Sequence, residues 1–75
     1  MRTVPMIVLN KEDGGEVYVN INSIDTIEPQ YQFIAEKNET TFHCSIVRVN
    51  ESRMFMVKEE PKKIIDMIRY GEFAK

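Results

Sequence analysis

The pair most suggestive of chemistry in this chain is His43 beside Cys44, in the run "TFHCSIV". A thiol next to an imidazole is the pairing that activates a cysteine nucleophile. The residues around it alternate as a strand does, however, and consecutive strand side chains point to opposite faces. His43 and Cys44 are therefore expected not to meet within one chain. Cys44 falls in phase with Phe42 and Ile46, which predicts a buried, inert thiol. His43 is expected on the surface. Cys44 is also the only cysteine, so no internal disulfide and no zinc site of the usual several-cysteine kind is expected.

Carboxylates are plentiful but blandly placed. Glu12, Asp13 and Glu16 flank a glycine turn. Asp25 and Glu28 share a face only if that stretch is helical. No Asp-rich loop or EF-hand spacing appears. The three glycines form neither a GxGxxG nor a phosphate-binding loop, and no serine sits in a nucleophile elbow. The expectation is a non-enzyme, with no catalytic residues, no metal and no cofactor. A metal-dependent enzyme built on His43 and nearby carboxylates is the most distant alternative.

Two residue sets point to binding instead. Met54 and Met56 share a strand face opposite Phe55 and Val57. Methionine is enriched in interface cores, so Tyr18, Met54 and Met56 are the protein-interface candidates. The other reading of the two methionines is burial inside a curled sheet. Arg48, Arg53, Lys58, Lys62 and Lys63 are the nucleic-acid candidates, if they converge on one face.

Those side chains need a frame, and most of the chain reads as strands. Val4 to Leu9 is a continuous apolar run with Pro5 near its start. "EDGGE" at 12–16 is a hairpin turn, because Gly14 and Gly15 accept positive φ. Glu16 to Asn20 alternates. Within residues 20–29 the spacing of Ile21, Ile24 and Ile27 by three suits a short helical or 3₁₀ turn, feeding a strand that should begin near Asp25, with Pro29 at an edge or a bulge. Residues 36–40 make a polar turn. Thr40 to Val49 is the longest strand, and its apolar phase slips near Ile46-Val47, which suggests a β-bulge or a change of burying partner there. Residues 50–52 turn the chain into a last strand, Arg53 to Lys58.

Pro61 opens a helix over about 61–70. Proline's missing N–H is no loss in a first turn. Glu59 and Glu60 stand beside the positive helix end. Ile64, Ile65 and Ile68 form the apolar stripe, with Met67 at its margin, and Gly71 is a natural residue to follow the C-cap. The expected fold class is α+β: one domain over 1–75, a small, mainly antiparallel five-stranded curled sheet, meander- or barrel-like, with one C-terminal α-helix.

Size and charge set bounds on function. A chain of 75 residues buries only about 60% of its unfolded surface. Without disulfides or metal, such domains often gain burial from a partner or from a second copy. The net charge is −2, split into a local −4 over residues 1–39 and a local +2 over residues 48–69. A nucleic-acid domain usually carries a clearer basic excess. The apolar runs are far short of the ~20 residues of a membrane helix, and the first ten residues lack a signal-peptide pattern. A cytoplasmic protein without membrane insertion is expected.

The order of several pieces resembles a known family. Ile7-Val8-Leu9, Gly15, Val17-Tyr18-Val19-Asn20, Ile24-Asp25-Thr26-Ile27-Glu28, then Val57-Lys58-Glu59 before Ile64, Ile65 and Ile68 is similar to the small flagellar FlbD-type proteins. This chain carries a longer segment between Glu28 and Val57, and Asn50-Glu51-Ser52 stands where that family tends to place a glycine-bearing turn. The resemblance implies a protein-binding or regulatory role with no catalytic residues. Residues and resemblance together lead to one expectation: a non-enzymatic protein-interaction or regulatory module, bacterial or phage-encoded, that self-associates. The alternative is a small nucleic-acid-binding regulator using the basic C-terminal third.

Overall fold

The computed structural model describes residues 5–72; the expected strand start at Val4 lies outside them. The element order is β1 (Met6–Asn10), β2 (Glu16–Asn20), a 3₁₀ turn (Ile21–Ser23), β3 (Ile24–Ile34), β4 (Glu39–Val49), β5 (Arg53–Val57) and α1 (Pro61–Arg69). The chain is α+β, but the strands do not form one five-stranded sheet and do not close into a barrel. They form two antiparallel sheets, β1-β2 and β3-β4-β5. Among the described residues a single bridge, Lys11 with Val57, joins them, flanked by the bonds Lys58 N–H to Asn10 C=O and Glu12 N–H to Met56 C=O. Regular pairing ends there because the chain turns at Asp13-Gly14, directly after the bridge.

The turns follow their residue chemistry. At the first, Gly14 takes φ 96°, and the Asp13 carboxylate accepts the Gly15 N–H at 2.9 Å. The Asn20 side chain caps the 3₁₀ turn by accepting the Asn22 N–H at 2.9 Å. The β4–β5 turn is less ordinary. Asn50 and Glu51 both have positive φ, 48° and 59°, a conformation that favours glycine. Asp25 supports it: its carboxylate accepts the Glu51 N–H at 2.7 Å. Asp25 is free to do so because it is the extra residue where β3 slips register between Ile24 and Thr26.

Ile7 and Leu9 of β1, Val19 of β2, Val47 and Val49 of β4, Val57 of β5 and Ile64 of α1 make one core. Met67 and Ile68 pack against it, whereas Ile65 is exposed; the helix stripe is therefore Ile64, Met67 and Ile68. The helix ends as expected. Gly71 has φ 69°, and the Glu72 N–H reaches the Met67 C=O at 2.8 Å, a Schellman closure.

Its start differs from expectation. Glu60 is the N-cap residue but makes no side-chain cap bond. Glu59 works elsewhere: its carboxylate accepts the Asn10 N–H at 3.0 and 3.1 Å and the Asn10 side-chain amide at 2.8 Å. It fastens the end of β1 to the β5–α1 link. The buried Ser45 hydroxyl donates to the Glu59 carbonyl at 2.6 Å.

The expected bulge at Ile46-Val47 is not there. Pairing is regular at both residues, with Ile46 opposite Glu28 and Met56, and Val47 opposite Ile27 and Phe55. Both are buried because β4 is the central strand, flanked by β3 and β5; Val47 faces the core, and Ile46 faces the other side, between Glu28 and Met56. The bulge falls at His43: Gln30 pairs with Cys44 and Tyr31 pairs with Phe42, which leaves His43 as the extra residue. Gln30 and Tyr31 point to opposite faces, and so do their partners. Phe42 therefore does not share a face with Cys44 and Ile46, contrary to the simple alternation.

Beyond this bulge the β3–β4 hairpin leaves the body. It gives the molecule its long axis, with extents of 54 × 26 × 20 Å.

Candidate functional site

Three surfaces carry the residues of interest. The first is the projecting hairpin. On β3, Ile27, Pro29, Tyr31 and Phe33 share one face, and Ile27 packs on the core. The inner face of the sheet thus runs out along the hairpin as Tyr31, Phe33 and, across the strand pair, Phe42. The rings of Tyr31 and Phe42 meet edge to face, centroids 6.3 Å apart. Where α1 begins, Glu60, Pro61 and Lys62 line a cleft with Pro29, Tyr31 and Phe42. Beyond it no described residue covers the face, and Tyr31 and Phe33 are each 62% exposed. Simple alternation marks these rings as one set; that the helix stops short of them is a tertiary fact that no local pattern carries.

The second surface is the outer face of β5. Phe55 and Val57 face the core, so Met54 and Met56 face out, 51% and 39% exposed. They line a shallow cleft with Lys11, Glu12 and Asp13. Tyr18, also exposed, lines a different cleft with Met6, Asn50 and Arg53. The three expected interface residues are at the surface but do not make one patch.

The five basic residues do not make one stripe either. Arg48 is on the outer face, with its Nε 3.5 Å from a Glu28 carboxylate oxygen and its guanidinium against the Met54 sulfur. Arg53 and Lys58 bracket β5, roughly 16 Å apart along an extended strand. Lys62 lies by the aromatic cleft, and Lys63 is exposed on α1.

The third surface is a mixed-donor cluster, which the sequence reading offers only as His43 with nearby carboxylates, its most distant alternative, and without Cys44. His43 Nε2 lies 2.9 Å from Glu12 Oε1, and the ligand atoms of Glu12, His43 and Cys44 all lie within 4.8 Å of one another. The expectation that His43 and Cys44 stay apart fails because the bulge at His43 breaks the alternation it rests on. Cys44 is fully buried. Burial, the negative charge of Glu12 and a hydrogen bond to that carboxylate push its thiol above the ordinary value. A thiol held protonated is a poor nucleophile.

Among the described residues no helix is long and apolar enough to cross a membrane. Neither family models, nor curated proteins, nor solved structures give a match to this chain.

Proposed function

We propose that this protein is a non-enzymatic protein-interaction module that self-associates, with the inner face of its β3–β4 hairpin covered by the same face of a second copy. The observation that carries the reading is the pair Tyr31 and Phe33, exposed on a face continuous with the core. A contiguous aromatic face on a small domain marks an interaction site. The occupant is argued from charge. Two hairpins crossing antiparallel about a two-fold axis place the tip of each at the base of the other. The tip carries Glu36, Lys37 and Glu39, a net −1; the base carries Glu60, Lys62 and Lys63, a net +1. Each tip then meets a base of opposite sign. The four exposed rings of such a dimer supply roughly 500 Å² of apolar contact, and the strands around them must bring the total above about 1,000 Å².

The resemblance to FlbD-type proteins points the same way, toward protein binding without catalysis. Met54 and Met56, on the opposite face, are left for a protein partner. The nucleic-acid alternative has weaker support, since its five basic residues are dispersed and Arg48 is already paired with Glu28.

Light scattering on a sizing column tests the reading. The expected result is a dimer that Tyr31→Ser with Phe33→Ser converts to a folded monomer. A native chain that stays monomeric at high concentration sinks self-association. Salt-sensitive binding of DNA or RNA by the native chain would favour the alternative.

A further inference from the structure

We infer that Glu12, His43 and Cys44 form a site for a single zinc ion, with three protein donors and a solvent-facing fourth position.

The donor set is the first ground. One thiolate, one imidazole and one carboxylate are each ordinary zinc ligands, and the sulfur and nitrogen select against hard cations such as Mg²⁺ and Ca²⁺. The second ground is spacing. Tetrahedral zinc with bonds of about 2.0–2.3 Å holds neighbouring donors roughly 3.3–3.8 Å apart. Here all three donor atoms lie within 4.8 Å of one another, one per residue. Glu12 Oε1 and His43 Nε2, now at 2.9 Å, need to part by less than about 1 Å to admit the ion.

The third ground is how the fold brings them together. A regular strand would separate His43 from Cys44, and the bulge at His43 removes that separation. Glu12 arrives from another part of the chain, held by its N–H bond to Met56 C=O beside the Lys11–Val57 bridge. Cys44 closes the inner side, being fully buried. Glu12 and His43 keep 32% and 45% of their side chains exposed, so the fourth position opens to solvent and takes a water.

The charges balance. Zn²⁺ binds neutral His43, the Glu12 carboxylate and the Cys44 sulfur, whose proton leaves to solvent. One dication and two anionic ligands give a neutral site, which a half-buried position tolerates. In the metal-free chain His43 Nε2 and Glu12 Oε1 already partner each other at 2.9 Å. The chain therefore folds without metal and gains stability on loading.

The test uses the full, tag-free, metal-free chain. Calorimetric titration with Zn²⁺ is expected to give one ion per chain and a raised unfolding temperature. Co²⁺ in place of Zn²⁺ is expected to show thiolate-to-metal charge-transfer absorption, which Cys44→Ser abolishes. His43→Gln is expected to lose zinc binding with its circular dichroism unchanged. Should the buried Cys44→Ser change prevent folding, Glu12→Gln at the exposed end of the cluster reads out the same loss. The Tyr31→Ser, Phe33→Ser chain should bind zinc as the native chain does, because neither ring is among the cluster's donors. No zinc binding by the native chain would overturn the site. So would binding that survives both His43→Gln and Glu12→Gln, and so would loss of binding in the ring variant.

Discussion

Glu59 shows how one side chain can do structural work that its neighbours in sequence conceal. It stands beside the helix N-terminus, yet its carboxylate holds Asn10 through three contacts. Glu59→Ala should cost about 1–3 kcal/mol, the scale of hydrogen bonds to a charged group. A domain of this length holds only about 4–11 kcal/mol in total, so urea unfolding should show the loss clearly. An unchanged midpoint would mean the contact is surface decoration. Cys44 gives a second prediction at this scale. Its thiol, faced by Glu12 and His43, is raised above the ordinary value chiefly by burial. The folded state therefore keeps its proton to higher pH than the unfolded chain does. The linked stability is fully present below the unfolded thiol value, roughly 8.5, and is lost as pH rises through the folded one. Melting of the metal-free protein above that value should show this decline, and Cys44→Ser should remove it. The sequence made Cys44's burial legible through its apolar neighbours. It could not show the meeting with His43, because one extra residue in a strand reverses every facing argument beyond it, and nothing in "FHCS" marks the insertion.

Elements with chemical punctuation were legible. Pro61 and Gly71 bracket α1, and the observed Pro61–Arg69 differs from the expected span by one residue. The glycine turn after β1 and the 3₁₀ turn at Ile21 also lie where their residue types put them. The β4–β5 turn hid its strain, because Asn50 and Glu51 adopt a glycine-like backbone without glycine. An L-residue there costs about 1–2 kcal/mol, and glycine returns about 0.5–1 of that through its unfolded-state entropy. Glu51→Gly should therefore raise stability by about 0.5 kcal/mol, measured as a higher urea midpoint. A lower midpoint would show that the Asp25 bond, or the Glu51 side chain itself, already offsets the strain. The projecting hairpin belongs to this scale as well. Strand alternation puts Ile27, Pro29, Tyr31 and Phe33 on one face, but the reach of the helix decides which part of that face is left bare.

At the scale of the whole molecule, strand count and helix were readable, and sheet partition was not. Five strands in sequence order suggest one continuous sheet. Continuity between β1 and β5 depends on pairing across 46 residues of chain, between Lys11 and Val57, and local patterns carry no information on a contact so distant. The elongated outline has the same origin: two long strands outrun a core sized for five-residue neighbours. Self-association belongs here too, since it would bury what that outline leaves bare.

Among the described residues one bridge joins the sheets, so β1-β2 is held to the rest mainly by side-chain packing in the shared core. Its backbone bonds to the rest of the fold are few, and Glu59's hold on Asn10 is a side-chain clasp across that seam. Low-energy openings follow such seams. Amide hydrogen exchange should accordingly find β1 and β2 releasing their protons together, faster than the buried amides of β4, and Glu59→Ala should quicken only the first group. Uniform exchange across all five strands would show the seam to be as strong as the sheets it joins. A hairpin that can swing out on the Ile21–Ser23 turn and return to the same acceptor edge can also return to that edge on a neighbouring chain. The architecture is therefore open to strand exchange, and concentrated samples held near the melting temperature are where hairpin-swapped dimers should accumulate.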